Sequence, residues 1–174
     1  PVGPPADSHR PLAGREAHER ELHALVRAFH DGLQPLADAR KLAALLVQFP
    51  HSFRRTEEGV RRLEWIAQAF GGIPLVLELR ERSWFAPEPL AQLRALGYTL
   101  CGIDLPLEAD RPSEDELLGV GERIAPRPLA YLRLHGRNAR AWFDPRAGRD
   151  QKYDYLYDAD EVREIVQATK RLAQ

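Results

Sequence analysis

"AYLRLHGRN", Ala130–Asn138, reads first as a buried strand, yet Arg133 and His135 occupy alternate positions among its leucines. Side chains one residue apart in a strand face opposite sides. Tyr131, Arg133 and His135 therefore share one face, and Leu132 and Leu134 share the other. The same parity runs through three earlier apolar stretches. In "KLAALLVQFP" Leu46 and Gln48 oppose Leu45, Val47 and Phe49; in "IPLVLELR" Val76, Glu78 and Arg80 oppose Leu75, Leu77 and Leu79; in "YTLCGID" Gly102 and Asp104 oppose Cys101 and Ile103. Every predicted strand has a greasy face and a polar one.

The segments between these strands carry helical spacing. Leu22, Leu25, Val26, Phe29 and Leu33 repeat at 3–4 residues within Glu16–Leu33, and Val60, Leu63, Ile66, Ala67 and Phe70 do so before the stop at Gly71–Gly72. A shorter helix is predicted over Pro87–Leu96, ending at Gly97. Another is predicted at "SEDELLGV", opened by a Ser113/Glu116 capping box, and a last one over Asp158–Leu172 with Asp158 as N-cap. The opening residues 1–15, rich in Pro and Gly, read as a tail, and residues 16–174 as one domain.

Four strands separated by helices imply parallel β/α units. Open parallel sheets need apolar residues on both faces, whereas a closed barrel directs polar side chains inward near its mouth. The parity predicts an α/β fold of the (β/α) TIM-like barrel kind, with Arg133 and His135 pointing inward. No G-x-G-x-x-G turn follows the first strand, which argues against a dinucleotide site. A barrel usually takes about 250 residues, so 174 residues with four strands make about half of one. The chain begins with Pro1 and contains no Met. The expectation is a piece of a longer protein or a reduced form whose open edges another subunit covers.

The composition is balanced, with 25 basic and 26 acidic side chains and a formal net charge of −1. No global field selects a nucleic-acid or membrane partner. The lone Cys101 excludes an internal disulfide and a multi-cysteine metal site, and suits a reducing cytoplasm. Its apolar neighbours read as core. No stretch approaches the roughly 20 apolar residues that span a bilayer. His9, His18, His23, His30 and His51 read as surface residues.

Five stretches, "LLVQFPHSF", "LELRERSWF", "GIDLP", "YLRLHGRNARAWF" and "YDYLYDADEV", resemble in order and spacing the motifs of the YecE-like family, domain of unknown function 72. The resemblance runs from about Leu22 to the C-terminus and implies a TIM-like barrel without an established activity. Its motif positions fall on Gln48, Phe49, Pro50, Glu78, Arg80, Trp84, Asp104, Pro106, Arg133, His135, Gly136, Arg137, Trp142, Tyr153 and Tyr155. Glu81 stands where relatives usually have His, and "RIAPRPLA" replaces a polar residue before the fourth strand.

Glu78, Asp104 and His135 end three successive strands on the inward face, where an acid/base pair or a metal would sit. They are the candidate catalytic residues. The alternative is a buried ion network in which the carboxylates neutralise Arg80 and Arg133. One His with two carboxylates is a sparse ligand set, so a divalent metal is not favoured, and no cofactor is identified. Candidate binding residues are Gln48, Arg80, Trp84, Arg133, Arg137, Asn138, Trp142, Tyr153 and Tyr155: arginines for an anion, aromatics for a ring. The expectation is a cytoplasmic enzyme acting on an anionic or phosphate-bearing small molecule, by hydrolysis or isomerisation. Its rivals are a nucleic-acid-processing protein using Arg137, Arg140 and the aromatics, and a non-catalytic structural module.

Overall fold

The computed structural model describes residues 12–106 and 129–172. In chain order these form α1 (Leu12–Asp38), β1 (Leu45–Gln48), α2 (Glu57–Ala69), β2 (Leu75–Glu78), a 3-10 turn (Arg82–Trp84), α3 (Pro87–Ala95), β3 (Tyr98–Asp104), β4 (Tyr131–Leu134), α4 (Ala139–Trp142), α5 (Arg149–Tyr153) and α6 (Ala159–Leu172). All four predicted strands are present. They form one sheet in the order β1-β2-β3-β4, and β3 pairs with β4 in parallel, Ile103 opposite Arg133 and Asp104 opposite Leu134. The predicted helix at "SEDELLGV" and its Ser113/Glu116 box lie outside the described residues, as does His9.

By backbone proximity the chain divides into two compact units, Pro1–Leu45 with Arg55–Leu75, and Leu46–Arg54 with Val76–Gln174. In the first, α1 starts at Leu12, inside the predicted tail, and continues past the predicted end through Pro35 to Asp38. Proline lacks an N–H, but its carbonyl still accepts from Ala39 N at 3.2 Å, and Gln34 bonds Asp38 one turn on. Two predicted surface histidines have partners here. His30 Nε2 lies 2.9 Å from the Ala69 carbonyl while its ring stacks on Phe70, and His23 meets the edge of Trp65. Thr56 caps α2 through a 3.0 Å bond to Gly59 N.

In the second unit, Val76, Leu77, Leu79, Tyr98, Leu100 and Ile103 are buried, so β2 and β3 are enclosed on both faces. Enclosure extends to polar residues: Glu78, Asp104 and His135 are all buried. Cys101 is buried too, its thiol against the Gly102 carbonyl and pushed up to about 12 by burial, which suits a core residue. On β4 the expectation changes. Leu134 is 48% exposed, because β4 is an edge strand of the described sheet. On α6, Ile165 and Ala168 are buried while Val162 and Val166 are exposed, a narrower stripe than the spacing predicts.

Asp158 opens α6 as predicted. Its carboxylate accepts from Asp160 N and Glu161 N, and the Glu161 carboxylate in return accepts from Asp158 N. This reciprocal box holds the chain directly after Tyr155 and Tyr157. Replacing Asp158 with Ala should lower stability by about 1 kcal/mol in urea denaturation, the usual worth of such a cap. An unchanged midpoint would show that packing alone starts the helix.

Candidate functional site

Glu78, the last residue of β2, has no exposed surface. Both its oxygens are taken. Arg80 donates to Oε1 through Nε at 2.8 Å and approaches it with Nη2 at 2.6 Å; Arg133 Nη1 bonds Oε2. His135 Nε2 lies 3.6 Å from Oε1 and 3.4 Å from Arg80 Nη2. Arg133 Nη1 also donates to Gln48 Oε1 at 2.8 Å, so β1, β2 and β4 meet at one carboxylate. Burial alone would raise the Glu78 pKa. The His135 hydrogen bond and the Arg80 and Arg133 contacts outweigh it and hold the carboxyl at about 2. Arg133 is held above its ordinary value: burial works against its charge, and the Glu78 bond overcomes it.

Asp104, the last residue of β3, builds a second cluster. Its main-chain oxygen accepts from His135 N at 2.8 Å. Its Oδ1 accepts from Arg137 Nε at 2.8 Å and its Oδ2 from the Tyr157 hydroxyl at 2.6 Å; that hydroxyl in turn accepts from Gly136 N at 2.8 Å. Three consecutive residues, 135 to 137, are thereby tied to one aspartate. Burial and then Asp104 push the Tyr157 hydroxyl pKa well up, keeping it a donor. Gly136 has φ +79°, and a Cβ there would stand 2.7 Å from Tyr155 Cβ, so only glycine suits this turn. Arg137 also reaches Glu164 at 3.0 Å and Glu161 at 3.6 Å.

The predicted residues separate accordingly. Gln48, Glu78, Arg80, Arg133 and His135 converge, and Glu78 forms ion pairs with both Arg80 and Arg133. Asp104 instead takes Arg137, a residue expected to clamp an anion and here surrounded by carboxylates. Asn138 is a structural tie: Oδ1 caps α4 through Ala141 N, and Nδ2 donates to the Gln151 and Asp154 carbonyls. Trp84, 1% exposed, stacks on Phe53 and donates its indole N–H to the Phe53 carbonyl, so its ring faces protein. Tyr155 donates to Glu161 at 2.5 Å, and its hydroxyl is pushed up to about 12 by that bond. Trp142 and Tyr153 do flank His135, with ring centroids 6.0 and 5.8 Å away and 5.4 Å from each other. Glu81, at the position of the family's usual His, caps the 3-10 turn through Ser83 N.

Sequence reasoning missed Tyr157, Glu161 and Glu164. The alternation of Tyr153, Tyr155 and Tyr157 in "YDYLYD" was the available signal, since period two places alternate tyrosines on one side. Among the described residues, no group of three or more His, Cys, Asp or Glu side chains could hold a metal ion. Glu78 and Asp104 both have their oxygens engaged by hydrogen-bond donors.

Strands alternating with helices, and a charged cluster at the strand carboxyl ends, define a partial TIM-like barrel of the α/β class. Residues 9–174 match the family described as Protein of unknown function DUF72, and the chain belongs to that family. It is 32% identical over 154 residues to the UPF0759 protein YunF of Bacillus subtilis (strain 168), covering 84% of this chain and 53% of that protein. A crystal structure of a DUF72 family protein from Enterococcus faecalis V583 superposes with TM-score 0.76 at 29% identity, over 87% of this chain and 55% of that one. One from Thermotoga maritima MSB8 gives 0.69 at 28%, over 85% and 53%. The chain thus spans about half the length of these relatives. Among the described residues no helix is long and apolar enough to cross a membrane.

Two outcomes follow from the clusters. Because the Glu78 pKa is lowered from 4.5 to about 2 on folding, its stabilisation is fully present above pH 4.5 and lost as pH falls toward 2. The loss amounts to about 3 kcal/mol. Urea midpoints of wild type and Glu78→Gln should therefore converge across that window, and a gap independent of pH would sink the assignment. Tyr157→Phe should cost about 1–3 kcal/mol by leaving Gly136 N–H without its acceptor. Amide exchange at Gly136 would accelerate; unaltered exchange would show that the hydroxyl is not its lock.

Proposed function

We propose that this chain binds an anionic small molecule at Arg80 and Arg133 and that His135 transfers a proton to or from it. One observation carries the reading: among the described residues two guanidinium groups share a single carboxylate, so the cluster holds one more cation than anion. Arg133 is 30% exposed at its side chain and donates to the described residues only through Nη1. Its remaining N–H groups form a fork suited to a phosphate or carboxylate. A second guanidinium in the low-dielectric rim strengthens that attraction.

The proton-transfer role goes to His135 by chemistry. A carboxylate held near 2 with both oxygens bonded is a poor base at neutral pH, which leaves Glu78 as the anchor that orients the arginines. Asp104 is likewise occupied and acts on His135 through the chain that carries it. A neutral imidazole carries one nitrogen that donates and one that accepts, which suits both directions of transfer. The nucleic-acid alternative draws less support, since Arg137 is enclosed by Asp104, Glu161 and Glu164. A cytoplasmic location belongs to the same proposal.

Thermal melting during titration with inorganic phosphate tests the reading, because a ligand that binds only the folded state stabilises it, by about 2.7 kcal/mol at a hundredfold excess over Kd. Arg133→Lys keeps a charge beside Glu78 but removes the fork. It should fold and weaken phosphate binding about tenfold, equivalent to about 1.4 kcal/mol. Arg137→Lys should respond like wild type. A response insensitive to Arg133→Lys, or none in wild type, would return the cluster to a purely structural role.

A further inference from the structure

An apolar stripe along α1 is left largely open by the described residues. Leu25 is 60% exposed, Phe29 47% and Leu36 45%. Single exposed leucines are ordinary, but these three line up on one side of the helix. With Leu22 and Gly32 they follow one another at steps of 3, 4, 3 and 4 residues, the spacing of a seam between two helices. The side of α1 that faces its own unit is a different one. There Val26, His30 and Leu33 are half-buried, with His30 against the Ala69 carbonyl and stacked on Phe70. Phe29 meets Phe70 edge to face, which holds its ring at the border between the two sides. Gly32 is the unusual member of the stripe. Glycine is a poor residue for a helix interior, and a Cβ added at this position would meet nothing within 4 Å. Packing among the described residues therefore gives no reason for the missing side chain.

We propose that this stripe is the contact between two copies of the chain, their α1 helices packed antiparallel about a two-fold axis. A two-fold interface must be self-complementary: where one residue meets a second, the second meets the first. The stripe satisfies this in one register. When Phe29 of one copy lies opposite Gly32 of the other, Leu25 lies opposite Leu36, and each contact occurs twice. The ring fills the space that glycine leaves, and the leucines close the seam on either side. Glu21, one turn before Leu25, then falls opposite Arg40 in the turn just after the helix, so unlike charges finish both ends. A parallel pair would set Glu21 against Glu21, Phe29 against Phe29 and Gly32 against Gly32. That arrangement places like charges together and a crowded layer beside a void. Size and charge thus both select a second, antiparallel copy.

Sedimentation equilibrium of the 174-residue chain tests the pairing. Wild type should approach twice the monomer mass as its concentration is raised. Leu25→Glu and Leu36→Lys change exposed positions, so each should fold, as circular dichroism would verify, and each should raise the dimer dissociation constant about tenfold or more. An equimolar mixture of these two variants should recover the dimer, because the antiparallel register sets the new carboxylate of one against the new ammonium of the other. Gly32→Leu reads the same contact without a charge. Leucine is the better helix former and occupies the seat of Phe29, so this variant should melt higher at low concentration yet remain a monomer. A wild type that stays monomeric at every concentration would overturn the proposal and leave the stripe to a different partner. Association that persists in both Leu25→Glu and Gly32→Leu would place the interface elsewhere, and a mixture that stays monomeric would overturn the antiparallel register.

Discussion

A carboxylate without exposed surface must find its compensation inside the protein, and in this chain that requirement falls on Glu78. The compensation comes from three strands: Arg80 just beyond β2, Arg133 within β4 and His135 just beyond it, with Gln48 of β1 completing the coordination of Arg133. Removing Glu78 leaves both guanidinium groups without their counterpart. The strand ends are thereby held in mutual register by an interaction that no apolar contact could specify. Among the described residues the same arrangement leaves a guanidinium in excess. In the function proposed above, the ion network and the anion site are two aspects of one geometry, since the arginines that keep Glu78 ionised are the donors that Glu78 orients.

The two clusters divide charge between them. Around Glu78, two arginines face one carboxylate; around Arg137, three carboxylates face one guanidinium. An anion approaching the strand ends is drawn to the first and repelled by the second. Asp104 connects them mechanically, because its main-chain oxygen holds His135 while its carboxylate holds Arg137 and, through Tyr157, Gly136. The left-handed turn at Gly136 lets Tyr155 pack closely beneath it and sends the following segment toward α4 and α5, which bring Trp142 and Tyr153 beside the imidazole. The histidine is therefore positioned by its neighbours along the chain as much as by its own contacts.

Helices, strands and the order in which they alternate were legible in the sequence, because each depends on periodicities of 3.6 and 2 within a dozen residues. So was the placement of Glu78, Asp104 and His135 at strand ends, which follows from parity and strand length alone. Helix limits were less legible: α1 passes through Pro35, and the short α4 and α5 lack a long apolar period. Partner choice was decided only by tertiary structure. Arginine side chains are long enough to reach several carboxylates, and strand register sent Arg133 to Glu78 and Arg137 to Asp104. The same holds for Trp84, turned into the protein by Phe53, and for Tyr157, whose hydroxyl acquires its role from groups 21 and 53 residues away in sequence. Local patterns determine which residues a strand presents at its end; only the packed chain determines what each of them touches, because those contacts join segments whose spacing along the sequence carries no record of their distance in space.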